Sequence, residues 1–368
     1  MKVLHVINHL DLGGAERLLA DVAPLLRERG VDVAVAALNL RDTRIAECLR
    51  RDGVPVIAED RPLRSPAQIA FIRRVIRDYR PDIVHAHLFP AMLWAAMAGN
   101  GTIRFVATEH NTWNRRRRWW FRAIDRQMYS GYRQIICVSQ QVADALGDWL
   151  PELRPRVRVV ANGIAIDNFP NVERQENPSP FTVLTVGRIT EQKGIDVLMR
   201  AVRELPQVVL CVAGEGHLRG ELEDLARSLG IEERVRFLGA RSDVPQLLAA
   251  ADVYVQSSRW EGFGLAAVEA MASGLPVVVS DVPGLSDVVG NAGLKFAMGD
   301  SAGLARAIRA LTDNAGLRKS LSKNARLRAA EFSIERTADQ YLTLYREVLG
   351  ETAPVAWKGE PHAASPTH

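Results

Sequence analysis

Apolar, β-rich runs alternate with helical patterns along most of the chain. Val3–Ile7 is followed by a three-to-four-residue apolar period over Ala15–Arg29, then by Asp32–Leu38. Helical spacing returns over Arg44–Asp52 and Pro66–Tyr79. Between and after these lie strand-like runs at Val54–Ile57, Ile83–Ala86, Arg104–Thr108 and Gln134–Val138, with a helix at Gln140–Trp149. Such β-α alternation predicts a parallel sheet with helices on both faces.

The rhythm breaks at Phe169-Pro170 and resumes after Asn177-Pro178-Ser179-Pro180. Proline-rich polar segments of this kind join domains. A second alternation runs from Phe181–Val186 to Pro276–Ser280, closed by helices at Ala302–Thr312, Ala315–Glu331 and Ile334–Leu349. The expected organisation is an α/β chain of two facing Rossmann-like domains with parallel sheets. They would occupy residues 1–169 and 181–332, with a linker at 170–180, a final helix at 333–350 and a disordered tail at 351–368. Two such domains leave a cleft at the carboxyl ends of their strands, where ligands bind.

Composition narrows this picture. The 368 residues are 47% hydrophobic and 24% charged, which suits a folded chain of two domains. Cys48, Cys137 and Cys211 lie far apart, so a disulfide scaffold is not expected and a reducing compartment fits. The start is too short for a signal segment and runs into Asn8, His9 and Asp11, and no apolar window spans a bilayer. The net charge is +4, but residues 1–170 hold 25 Lys and Arg against 18 Asp and Glu, and the remainder is acidic. The basic half suits an anionic partner or is a solvated, arginine-biased surface.

Candidate chemistry sits at the predicted strand ends. Gly13-Gly14-Ala15-Glu16 opens the first helix, where two glycines allow a close ligand and free amides favour an anion. A tight turn would use the same residues. Gly187-Arg188 and Lys193-Gly194 place two cations at a strand end and a helix start, a pattern that neutralises a pyrophosphate or merely caps a helix. The strongest segment is Ser257-Ser258-Arg259-Trp260-Glu261-Gly262-Phe263-Gly264-Leu265, with Glu269 eight positions beyond Glu261. Glu269 lies in an otherwise apolar helix, so its carboxylate needs donors such as ligand hydroxyls, backbone amides or an arginine. His110 follows a strand and can face a substrate; His85 and His87 read as satisfied polar neighbours, and His5 and His9 receive no role. The eight histidines form no metal-ligand cluster by spacing, and no Asp-x-Asp triplet occurs. Arg115-Arg116-Arg117-Arg118-Trp119-Trp120-Phe121 suits an anionic membrane surface; a loop followed by a core helix, and nucleic-acid contact, are the alternatives. No nucleic-acid-binding signature supports the last.

Together these segments resemble the retaining glycosyltransferases of family four, which have the GT-B fold. The Glu-x7-Glu element, Glu261 to Glu269, is the most specific part. Supporting matches are Gly13-Gly14-Ala15-Glu16, His110-Asn111, Asn162-Gly163-Ile164, Val186-Gly187-Arg188, Lys193-Gly194 and Ala213-Gly214-Glu215-Gly216. Ala161 stands where members often have proline.

The resemblance implies a hexosyltransferase-type enzyme using a nucleotide-sugar donor, with UDP favoured over GDP and no metal. Arg188 and Lys193 would hold the diphosphate, Glu269 the ribose hydroxyls and Glu261 the sugar. Amides of Phe263, Gly264 and Leu265 would lie near sugar and phosphate. Gly14 would let the first domain close on the donor, and His110 would sit beside the anomeric carbon. The last helix would cross back onto the first domain. A glycan or polyprenyl-diphosphate-linked acceptor would bind the basic domain in cell-surface polysaccharide synthesis, with the enzyme cytoplasmic and peripheral on the inner face of the plasma membrane. A nucleotide-sugar epimerase of the same fold and a non-catalytic sugar-nucleotide-binding protein are the rival readings.

Overall fold

The computed structural model describes the chain except residues 12, 40–43, 100, 113–117, 171, 173–178 and 352–368. Most of the expected linker and tail, and Arg115–Arg117, therefore lie outside the described residues.

In the first domain the strands are β1 (Lys2–Ile7), β2 (Asp32–Ala37), β3 (Val56–Ala58), β4 (Ile83–His87), β5 (Arg104–Glu109), β6 (Gln134–Cys137) and β7 (Val157–Val159). Between them lie α1 (Gly14–Glu28), α2 (Arg44–Arg51), α3 (Ala67–Tyr79), α4 (Ala91–Ala98), α5 (Arg122–Ser130) and α6 (Gln140–Trp149). The second domain carries β8 (Phe181–Val186), β9 (Val208–Ala213), β10 (Val235–Gly239), β11 (Val253–Gln256), β12 (Val277–Ser280) and β13 (Leu294–Phe296). Its helices are α7 (Ile195–Arg203), α8 (Arg219–Leu229), α9 (Val244–Ala250), α10 (Leu265–Ala272), α11 (Leu285–Val289), α12 (Ser301–Asp313) and α13 (Ala315–Ala329), and α14 (Ile334–Leu349) ends the fold.

Among the described residues the sheets are ordered β3-β2-β1-β4-β5-β6-β7 and β10-β9-β8-β11-β12-β13, all parallel. Strand order reverses between β1 and β4 and between β8 and β11. These switch points open crevices at the strand carboxyl ends. Gly13-Gly14 follows β1, His110 follows β5, Gly187-Arg188 follows β8, and the Glu261 loop follows β11. The candidate residues thus converge because each sits where a parallel strand ends.

Most predicted elements appear within a residue or two of their expected ends. β3 differs, because Pro55 lacks an N–H; its carbonyl still accepts from Val35 N at 2.9 Å, and pairing begins at Val56. Helix α4, Ala91–Ala98, carried no helical signal: it is apolar on nearly every side, so no polar face marks its period.

Helix α14 packs on α1. Tyr341, Leu344, Tyr345 and Val348 share one core with Leu18, Leu19, Val22 and Leu26. The Asn162-Gly163-Ile164 segment explains the docking. Ile164 exchanges backbone bonds with Phe332 and Ile334 (2.9 and 3.0 Å), and a Cβ on Gly163 would lie 2.5 Å from Ser333 O. Thr337 Oγ1 donates to Ala161 O at 3.1 Å, so this carbonyl serves the docking with alanine in the usual proline position.

Candidate active site

Glu261 is the centre of a buried polar cluster. Its Oε1 accepts from Lys193 Nζ, from Gln256 Nε2 at 3.0 Å and from Ser258 Oγ at 3.0 Å. The side chains of Lys193 and Glu261 are 18% and 9% exposed, so their ion pair is little screened. The Lys193–Gly194 turn is sewn to the same loop. Ser257 Oγ donates to Gly194 O at 2.9 Å, and Arg259 N donates to Gln192 O at 2.7 Å. Gly194 has φ +57°, and a Cβ there would lie 2.2 Å from Ser257 O, so both strain and space demand glycine. Lys193 passes over Gly187, with Cε 3.0 Å from where a Cβ would stand, and Gly187 immediately precedes exposed Arg188.

Glu269 lies on α10, whose first residue follows Gly264 in the left-handed region at φ +95°. The Glu269 side chain is 12% exposed. Burial pushes its carboxyl up to about 7; Arg17 opposes the shift and Asp21 adds to it. Arg17 comes from the other domain, with Nε 4.0 Å from Glu269 Oε1.

The first domain touches the Glu261 loop directly. Thr112 Oγ1 donates to Glu261 O at 3.1 Å, and Ser139 Oγ donates to Gly262 O at 2.8 Å. A Cβ on Gly262 would stand 2.1 Å from His110 O, and one on Gly14 would stand 3.2 Å from Leu265 Cδ1. His110 and Gly14 therefore meet the loop and α10. Among the described residues the buried His110 Nε2 has no hydrogen-bond partner, and burial lowers the ring to about 4, so the imidazole is neutral near pH 7. Gly13 makes room for the buried Glu16, whose Oε2 lies 2.3 Å from the position of a Gly13 Cβ. Burial raises the Glu16 carboxyl, while His9 and Arg188 pull it down. Phe263 is also in place, but its ring packs edge-on against Phe332 at 5.4 Å, so its backbone is what the loop presents.

Sequence reading missed Thr112, Ser139, Gln256 and Arg17. Ser139 carries a visible signal as the N-cap of α6, accepting from Val142 N at 3.2 Å, but its bond across the cleft carries none.

One expectation is corrected. Sequence spacing suggests no histidine cluster, yet β1 and β4 are neighbours and place His5 opposite His85. The ring nitrogens of His5, His85 and His87 fall within 4.8 Å of one another. His5 Nδ1 and His87 Nε2 share a proton at 2.9 Å, while His85 bonds Tyr345 Oη and Thr108 Oγ1, each at 2.6 Å. Burial holds all three well below the usual imidazole range.

Trp119 and Trp120 form a 3-10 turn before α5 and are 80% and 50% exposed. They are not part of a core helix. The Arg118 guanidinium stands 5.3 Å over the Trp120 ring, and Ile124 is exposed nearby in sequence. Among the described residues no helix is long and apolar enough to cross a membrane.

The family model described as Glycosyltransferase Family 4 matches residues 12–168, and that described as Glycosyl transferases group 1 matches residues 169–328. The lipopolysaccharide core biosynthesis glycosyltransferase LpsE of Rhizobium meliloti is 31% identical over 360 residues, covering 94% of this chain and 98% of that protein. The chain belongs to the family-four glycosyltransferases. A second relative of this glycosyltransferase, LpsD of the same organism, is 28% identical over 94% of the chain and 98% of its own length. The fold is that of Anabaena HepE, solved in complex with UDP and glucose, at a TM-score of 0.84 and 24% identity over 96% of this chain and all of that one. The enzyme is thus a glycosyltransferase with two Rossmann-like domains in the GT-B arrangement.

Proposed function

We propose that this glycosyltransferase moves a sugar from a UDP-sugar to a glycan or lipid-linked acceptor in cell-surface polysaccharide synthesis, with retention and without a metal. The observation that carries the reading is the Lys193–Glu261 pair. It couples the cation assigned to the diphosphate with the carboxylate assigned to the sugar, at the point where His110 enters from the other domain.

Arg188 and Lys193 take the diphosphate, and Glu269 accepts from the ribose hydroxyls. As the glycosyl–phosphate bond breaks, its electron pair passes to the phosphate oxygen. Fixed cations and the amides opening α10 favour that charge more in the transition state than in the ground state. Lys193, with three donors, serves Glu261 and phosphate together. The acceptor oxygen attacks from the face the phosphate leaves, and its proton passes to that phosphate. Neutral His110 lies beside the reacting carbon, its carbonyl fixed against Gly262. The relatives named for lipopolysaccharide core biosynthesis support the acceptor class, and the UDP-bound neighbour supports the nucleotide.

Exposed Trp119 and Trp120 beside Arg118 support a peripheral seat on an anionic membrane, where indoles sit at the polar boundary and arginines meet headgroups. The test of the function is UDP release from a panel of UDP-sugars with lipid-linked glycan acceptors. Acceptor-dependent release that Lys193→Ala sharply lowers supports the proposal. Epimerisation of the donor without acceptor would replace it with the epimerase reading.

A further inference from the structure

Two helix starts face each other across the cleft in matched register. Gly14, the first residue of α1, lies against Leu265, the first residue of α10. One turn further in, Arg17 on α1 meets Glu269 on α10 with Nε 4.0 Å from Oε1. Positions three or four apart share a helix face, so the two contacts form one seam. Arg17 also stands 4.0 Å from Asp21 Oδ2 on its own helix, one turn beyond. The row Glu269, Arg17, Asp21 thus runs from one domain into the other.

Among the described residues Glu269 has little else to hold its charge. From β11 the neighbouring titratable group is the Tyr254 phenol, which burial pushes up, with Glu269 and Glu261 adding to the shift. The α13 face against α10 is made by Ala325 and Ala329, with Arg326 lying over Gly274 beyond the helix end. On α11, Asp287 is engaged by Gln141 and Gly284 N. Among the described residues Arg17 is the cation that reaches Glu269, and it arrives from the opposite domain.

We propose that Arg17 is a positioning residue that orients the Glu269 carboxylate for the ribose hydroxyls, so that α1 of the facing domain sets the preference for ribose over deoxyribose in the donor. The proposal rests on Glu269 as the ribose-binding carboxylate. A protonated carboxyl gives up acceptor capacity, and one without Arg17 sits in a largely buried site where the neutral form is favoured. Domain contact therefore readies the ribose site. Asp21 works against Arg17, as its own carboxyl, raised by burial, competes for the same guanidinium.

The experiment compares equilibrium binding of UDP and 2′-deoxy-UDP by calorimetry across about pH 6 to 9, a range that brackets the Glu269 transition. The full chain is used as wild type, Arg17→Gln, Arg17→Lys, Asp21→Asn and Glu269→Gln. Wild type is expected to prefer UDP at neutral pH. Arg17→Gln should lose about tenfold of that preference and recover it at the alkaline end, since a hydrogen bond to a charged group is worth roughly that much. Arg17→Lys should keep most of it, and Asp21→Asn should extend it to lower pH. An unchanged UDP preference and pH midpoint in Arg17→Gln would overturn the role of Arg17. A full preference retained by Glu269→Gln would instead overturn the ribose reading of Glu269. Arg17→Gln that no longer binds UDP while Arg17→Lys binds normally would also overturn it, making Arg17 a direct ligand contact.

Discussion

The carbonyl oxygen of His110 and the α-carbon of Gly262 are in contact across the cleft, so closely that a Cβ on Gly262 would stand 2.1 Å from that oxygen. Ser139 Oγ holds the same glycine by its carbonyl at 2.8 Å. The approach of the two domains is therefore set at Gly262. Gly262→Ala is expected to push the domains apart, lowering turnover more than tenfold, as a displacement of about 1 Å at a reacting centre does. Donor binding by the second domain should change far less. UDP calorimetry beside UDP-release kinetics separates the two effects.

Lys193→Ala removes the ion-pair partner of a largely buried carboxylate as well as the cation proposed for the diphosphate. The expected loss is on the order of 2–4 kcal/mol of activation free energy, from kcat/KM for donor turnover. Lys193→Arg should restore part of it, since the charge returns on a bulkier group.

The buried histidines give the fold an acid limit. His110 and His5 are lowered by burial to about 4 and about 3, and His85 and His87 are lowered too. Unfolded histidines take up protons near pH 6.5, so the stability from keeping these rings neutral is complete above that pH and falls below it. Glu269, raised to about 7, and Glu16 and Asp21, also raised by burial, have the opposite sign and grow more favourable as pH falls, but they stand against four imidazoles lowered by burial. Urea midpoints should drop steadily from about pH 7 to about pH 5. His5→Gln and His87→Gln together should flatten that slope.

Tyr345 joins the returning helix to the first domain through its 2.6 Å bond with His85 Nδ1. Tyr345→Phe leaves a buried ring nitrogen without its partner and is expected to cost about 1–3 kcal/mol in chemical denaturation, with little effect on donor affinity.

Trp119 and Trp120 project from the basic domain beside Arg118. Replacing both with serine should reduce flotation with anionic liposomes by severalfold while leaving UDP binding unchanged. Equal flotation of variant and wild type would remove this turn from the membrane account.

The fold was legible because parallel strands buried on both faces write near-continuous apolar runs, as in Val277–Val279, between amphipathic helices such as α1. The candidate site was legible where glycines and charges interrupt that pattern, at Gly13-Gly14, Gly187-Arg188 and Glu261–Glu269. Contacts between distant segments were not. Nothing local marks Ser139 or Thr112 as partners of the Glu261 loop, and the His5–His85 pairing exists only once β1 and β4 lie side by side. Helix α4 was hidden for a different reason, since a segment that is apolar nearly all round has no period to read.

The proposed function requires one cleft to hold the donor between Glu261, Glu269, Arg188 and Lys193. A crystal structure of the chain soaked with UDP-glucose tests it most directly. Ribose hydroxyls are expected on Glu269, the diphosphate against Arg188 and Lys193, and the glucose ring between Glu261 and His110. A well-occupied nucleotide sugar bound away from these residues would contradict it.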